Sequence, residues 1–231
     1  VPGVLGAAYS GVFICGEAPG PDEDKEGWPF IGPAGQFLME LLATNGLNRE
    51  QFYITNMAKC WPHVSYGNRA KTIPPPVKSL TACGKLWFLP ELLKYKPHTI
   101  VVLGGNALKA FLPKGKVGQL HGRVIQHTIS GYGPIRLIPL YHPAAKLHQP
   151  AMEAAVRADF AALPTLLEAK EEAEAVGDVH HYHYIRRHED ATSFLTALKQ
   201  PLICVDTETY MEEDYGGHIT HPSHVQPLGI S

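Results

Sequence analysis

Apolar and polar positions along the chain follow two periods. Short apolar runs bounded by glycine or proline predict strands at Gly11–Cys15, Phe52–Ala58, Thr99–Leu103, Arg123–Thr128 and Ile135–Tyr141. Between them, apolar residues recur at helical spacing. Phe37, Leu38, Leu41 and Leu42 predict a helix over Ala34–Asn45, stopped by Asn45-Gly46. Leu80, Leu86, Leu89 and Leu93 predict a core-facing helix over Ser79–Tyr95, kinked or divided by Pro90. Ala107–Leu112 predicts a short helix and Ala151–Ala173 a long one, whereas Trp61–Val77, with prolines at 74, 75 and 76, reads as a loop. Strands alternating with helices predict an α/β fold, a three-layer α/β/α sandwich on a central, mainly parallel sheet. After residue 180 the pattern restarts, with strands over 180–185 and Leu202–Asp206 flanking a helix over Glu189–Leu198. This divides the chain into a domain at 1–167, an acidic linker at 168–180, and the truncated start of a second α/β domain at 181–231.

The 231 residues are 45% hydrophobic and 18% charged, ordinary for a soluble globular protein. No apolar run reaches membrane-spanning length and no signal peptide opens the chain, so the expected location is the cytoplasm of a bacterium or a virus-infected cell. Both ends read as cut: there is no initiator Met, and Pro227 to Ile230 resembles a strand beginning. The net charge of −2 conceals an asymmetry: Ala58 to Arg123 carries eleven Lys and Arg against one acid, Glu91. Such a basic stretch fits phosphate contacts. The four cysteines are too widely spaced for a disulfide framework. Cys15 and Cys204 sit in strand-like runs and read as buried, inert thiols, while Cys60 and Cys83 flank the Pro- and Lys-rich loop.

Residues 16–35 follow the first strand and precede a helix, the position where open α/β sheets place ligands. Glycines at 16, 20, 27, 32 and 35 permit close backbone approach, and prolines at 19, 21, 29 and 33 stiffen the path. A stiff loop carrying Glu17 and Phe30 suits the wall of a pocket for a flat polar ligand; the bland alternative is a solvated acidic patch. The order Gly16-Glu17-Ala18-Pro19-Gly20, an acidic run, then Gly27-Trp28-Pro29-Phe30-Ile31-Gly32-Pro33-Ala34-Gly35 resembles the first motif of family 4 uracil-DNA glycosylases. Phe52-Tyr53-Ile54-Thr55-Asn56-Met57-Ala58-Lys59-Cys60 resembles that family's second motif, and Tyr141-His142-Pro143-Ala144-Ala145 its third.

The resemblance implies hydrolysis of the bond between uracil and deoxyribose in single- or double-stranded DNA. Such a reaction requires a flipped base, a grip on its edge and a donor to the departing anion. Carried over residue by residue, it implies Glu17, Asn56 and His142 as catalytic residues, with Gly16, Ala18, Phe30 and Asn56 lining the base and sugar. Phe30 stacks on the ring, Asn56 pairs with O4 and N3 and rejects cytosine, and His142 donates to O2. Glu17 either orients the attacking water or steadies the sugar. In the His142–Pro150 loop, Leu147 is a candidate wedge and Lys146 a candidate phosphate contact. Asn68 and Arg69 are further candidate DNA contacts. The turn Gly104-Gly105-Asn106 can offer backbone N–H groups to phosphate.

Cys60 and Cys83 match two of the family's ligands to a 4Fe-4S cluster, although the 22 residues between them exceed the family's habit through an apparent insertion around Val64 to Lys71. The expectation is a cluster in the intact protein and none on these two thiols alone. Val205-Asp206-Thr207-Glu208-Thr209 resembles the first motif of DnaQ-like 3′–5′ exonucleases, RNase H-like domains found in A-family DNA polymerases. Asp206 and Glu208 would bind divalent metals there, and the chain would continue into exonuclease and polymerase domains beyond Ser231. The exonuclease part is expected to be inactive as it stands. Two further readings stay open: a non-catalytic module that binds uracil or template DNA, and a glycosylase for another damaged base.

Overall fold

A computed structural model describes residues 1–66 and 69–169. Among the described residues there are eight strands: β1 (Val4–Leu5), β2 (Val12–Gly16), β3 (Phe52–Asn56), β4 (His63–Tyr66), β5 (Arg69–Thr72), β6 (Thr99–Leu103), β7 (Ile125–Ile129) and β8 (Gly133–Leu140). Six form one sheet in the order β1-β3-β2-β6-β8-β7. The inner four, β3, β2, β6 and β8, run parallel, and β1 and β7 close the edges antiparallel. The α/β architecture with a mainly parallel sheet therefore matches the sequence pattern. The second α/β domain predicted at 181–231 lies outside the described residues.

The helices are α1 (Pro21–Glu26), α2 (Pro33–Thr44), α3 (Val77–Cys83), α4 (Leu89–Tyr95), α5 (Gly105–Phe111), α6 (Val117–Leu120), α7 (Ala145–His148) and α8 (Glu153–Glu168). Alternation along each inner strand sends side chains to opposite faces. Val12, Ile14, Val101, Leu103, Ile138 and Leu140 pack with Phe37, Leu38, Leu41 and Leu42 of α2 and Val156, Phe160 and Leu163 of α8. Phe13, Cys15, Ile100, Val102 and Leu137 pack on the other face with Leu80, Phe88, Leu92, Leu108 and Phe111. Both faces of the inner strands are covered, which explains their unbroken apolar runs.

The predicted helix over Ser79–Tyr95 is divided, as its Pro90 implied: a π-turn segment, Gly84–Phe88, separates α3 from α4. Which of its leucines are core, and three other local expectations, are corrected. Pro90 cannot donate to a carbonyl four residues back, and just before it Leu89 N–H bonds instead to Gly84 O, five residues back. The extra residue rotates the helical phase. Leu80, Phe88 and Leu92 reach the core, while Leu86 and Leu93, predicted to be core, are 67% and 51% exposed. The stretch Trp61–Val77 contains the β4–β5 hairpin, clasped by a 2.9 Å hydrogen bond from Trp61 Nε1 to Thr72 Oγ1. The signature loop contains α1. Finally, α8 ends at Glu168 rather than Ala173.

Candidate active site

Four parallel strands deliver their carboxyl ends to one edge. Gly16, ending β2, lies opposite Asn56, ending β3. No side chain fits at 16: a Cβ there would stand 2.4 Å from Asn56 Oδ1 and 2.6 Å from Phe30 Cζ. Two of the predicted groups, Asn56 and Phe30, thus converge on the backbone of a third, Gly16. The Asn56 side chain is buried and its Oδ1 has no hydrogen-bond partner among the described residues. An unpaired buried acceptor costs about 1–3 kcal/mol, so this atom is set aside for a donor from elsewhere. Asn56's own backbone is fixed from behind, its carbonyl accepting from Lys59 Nζ at 2.9 Å.

Phe30 is buried with φ at +57°. The left-handed region costs a residue with a bulky side chain about 1–3 kcal/mol and persists only when neighbours enforce it. Glu23 is the enforcer. It is 8% exposed, and its carboxylate accepts backbone N–H bonds from Gly20 (3.0 Å), Ile31 (3.1 Å) and Gly32 (2.9 Å). The chain on both sides of Phe30's loop is drawn onto one side chain. Gly35 completes the fit, since a Cβ there would lie 2.0 Å from the Phe30 carbonyl carbon. The acidic run is therefore not a solvated patch throughout; its second acid is internal scaffolding.

His142 follows β8 and stacks on Phe30, ring centroids 5.9 Å apart at 25°. Ala144 N–H donates to His142 Nδ1 at 3.0 Å, which leaves Nε2 as the protonated, donating nitrogen. Burial pushes the imidazole down to about 4, with the Glu23 carboxylate opposing that shift and His148 adding to it. The ring is neutral at pH 7 and can donate without having first been a cation. Glu17 points the other way electrostatically: burial raises its carboxyl above the ordinary range, against the Asn106 hydrogen bond and the Lys109 charge. Asn106 Nδ2 donates to Glu17 Oε2 at 3.0 Å.

Residues 3–163 match the Uracil DNA glycosylase superfamily. The chain is 36% identical over 177 residues to the type-4 uracil-DNA glycosylase of Archaeoglobus fulgidus, covering 74% of this chain and 83% of that one. It is 38% identical over 170 residues to the type-4 enzyme of Pyrobaculum aerophilum, covering 70% of this chain and 80% of its relative. The Thermotoga maritima enzyme is 38% identical over 142 residues, 62% of this chain and 69% of its own. This chain belongs to the uracil-DNA glycosylase superfamily.

The other residues singled out from the sequence differ in burial and in partners. Ala18 is half-buried against the second core face. Leu147, on α7, is 49% exposed. Its neighbour Lys146 is held down: Nζ lies 3.6 Å from the Phe37 ring centroid and 3.4 Å from Glu153 Oε1. Arg69 is exposed on β5, whereas Asn68 lies outside the described residues. The Gly104-Gly105-Asn106 turn sends its side chain to Glu17. Cys15 is fully buried and its thiol is pushed up to about 12 by burial, as befits an inert group. Cys60 is exposed and Cys83 partly so, both unpaired among the described residues. Among the described residues no group of three or more His, Cys, Asp or Glu is placed to hold a metal ion. Cys204, Asp206 and Glu208 lie outside the described residues.

Sequence reasoning missed Glu23, Lys59 and Asp159, and named Asn106 only within a turn offering backbone N–H groups to phosphate, not for its side chain. Lys59 and Glu91 form a largely buried ion pair at 2.7 Å, joined by Thr55 Oγ1. Asp159, 4% exposed, accepts from Tyr141 N–H at 2.7 Å and meets His121 Nδ1 at 2.6 Å, so α8 fixes the chain one residue before His142. A signal existed for Glu23 alone: it stands three residues after Gly20, at the capping-box position of a helix that begins with proline.

Proposed function

We propose that this chain hydrolyses the N-glycosidic bond of deoxyuridine in DNA and leaves an abasic site. The unpartnered, buried Oδ1 of Asn56 carries this reading. Uracil presents an N–H donor at N3 beside the O4 acceptor, the complement of a side-chain amide. Cytosine presents an unprotonated N3 beside an amino group and leaves Oδ1 facing a lone pair. Phe30 supplies the stacking surface, and its buried, enforced backbone keeps the ring in place without the base. As the bond to C1′ breaks, negative charge collects on the departing ring. The Nε2–H of neutral His142 donates to O2, stabilising that anion without a prior proton transfer. Gly16 and Ala18 line the base and sugar, and Glu17 acts at the sugar, orienting water or countering the oxocarbenium charge. The relatives' type-4 uracil-DNA glycosylase names point to the same reaction.

Leu147, exposed on a short helix just past His142, suits the wedge that fills the gap left by the flipped base. Arg69 on β5 and, from the sequence alone, Asn68 are proposed as phosphate contacts, with Lys146 reaching phosphate only by leaving Phe37 and Glu153. Cys60 and Cys83 are proposed as two ligands of an iron–sulfur cluster. Two thiols fall short of the four such clusters usually take, so the described residues do not by themselves make the site. No step of the reaction runs through it. Asp206 and Glu208 are read, on motif resemblance alone, as metal ligands of an exonuclease fold.

The test is single-turnover release of uracil from an oligonucleotide holding one deoxyuridine, followed by alkaline cleavage. Wild type should cut. Asn56→Asp and His142→Ala should each lose at least 100-fold, the scale of one donor to a developing anion. Tight binding to uracil-DNA with no alkali-labile site in wild type would instead favour the non-catalytic module.

A further inference from the structure

The buried or half-buried carboxylate in the site that does chemistry is Glu17, and a residue from a different strand end holds it. Glu17 follows β2, and Asn106 lies in the first turn of α5, after β6. The two are 89 residues apart in sequence, yet Asn106 Nδ2 donates to Glu17 Oε2 at 3.0 Å. From behind, Glu17's backbone carbonyl accepts Ala58 N–H at 2.9 Å, so both its main chain and one carboxylate oxygen are tethered. Lys109, one turn further along α5, is the charged side chain that acts on the carboxylate.

We infer that Asn106 is a positioning residue: its amide clamps Glu17 Oε2 and leaves Oε1 as the oxygen that meets the water or sugar. This rests on the glycosylase reading above. An ionised carboxylate can only accept hydrogen bonds, so an amide donor at 3.0 Å selects the charged form as well as the rotamer. Burial works against that charge, and the Asn106 donor and Lys109 work for it. Without them Glu17 would take up a proton at higher pH and present an O–H where a carboxylate is needed.

Asn106→Asp separates this role from a merely structural one. Aspartate is nearly isosteric and is, if anything, better than asparagine in the first turn of a helix. A structural Asn106 would therefore tolerate the change. A clamping Asn106 would not, because two carboxylates about 3 Å apart resist joint ionisation. The full chain, wild type and N106D, would be titrated by the carboxyl carbon signal of 13C-labelled glutamate, with Glu17→Gln to assign the resonance. The Glu17 midpoint should rise by at least one pH unit in N106D, and Asn106→Ala should move it less, in the same direction. The single-turnover rate of N106D should fall below that of wild type on the acid side and recover as pH rises, by up to tenfold for each unit the Glu17 midpoint moves. A Glu17 midpoint unchanged in N106D and N106A would overturn the clamp. Should wild type release no uracil, the glycosylase reading fails, and the carboxyl titration still decides what Asn106 does. Should N106D fail to fold, the alanine variant carries the titration.

Discussion

Gly16 shows how one missing side chain makes a site. Two functional groups, Asn56 Oδ1 and the Phe30 ring, occupy the volume a Cβ would take, at 2.4 and 2.6 Å. Neither is the free end of a long flexible chain. Phe30 is locked through Glu23, and Asn56 through its ladder partner and Lys59. Gly16→Ala should therefore leave the strand paired but push the stacking ring and the amide apart. We expect at least a 100-fold loss in kcat/KM for uracil release with a thermal midpoint within a few degrees of wild type. Unchanged kinetics would mean that the pocket repacks more easily than these distances imply.

At the scale of elements, the inner strands and α2 were legible because their signals are local. A strand covered on both faces needs apolar residues at every position, and a helix on a sheet needs them at 3.6 spacing. The four candidate site residues were named from motif order, and the sheet gathers the loops that carry them at the carboxyl ends of β2, β3 and β8. The failures share a physical cause. Leu86 and Leu93 obey helical spacing, but the π turn changes phase between them. Glu23 is surrounded by charged residues in sequence and by backbone N–H groups in space, and only folding reveals the second neighbourhood. Lys59 is one of eleven basic residues between Ala58 and Arg123, and the other ten are exposed. It alone turns inward, to tie β3 to α4 through Glu91. Lys59→Met should strand a buried carboxylate and cost about 3 kcal/mol in urea unfolding. Adding Glu91→Leu should recover most of that loss, and a double variant as unstable as the single would argue against an ion-pair origin.

Over the whole molecule, the pH dependence of stability follows from the site. His142 is held near 4 in the folded chain, below its ordinary value of about 6.5 when unfolded. Between those values the unfolded state binds the extra proton and the native state does not, so stability falls as pH drops. Between pH 7 and pH 5 this amounts to about 2 kcal/mol, or about 5 °C in thermal midpoint for a chain of this size. Glu17 has the opposite sign: its raised value lets the native state take a proton first, returning some stability as pH falls through the carboxylate range. Wild type should therefore lose midpoint from pH 7 to pH 5, and His142→Asn should lose about 5 °C less over the same interval. Parallel slopes for the two proteins would show that the imidazole titrates normally.

The strand order has one more consequence. Asn56 ends one strand and Glu17, Asn106 and His142 each follow another, and those strands are neighbours only after β3, β2, β6 and β8 have paired in parallel. Parallel pairing between distant segments is slow to form. A chain emerging from the ribosome has no imidazole in place until β8 has been made and has docked beside β6. Its reactive groups stay scattered until then, so the growing polypeptide cannot attack nucleic acid before the sheet is finished.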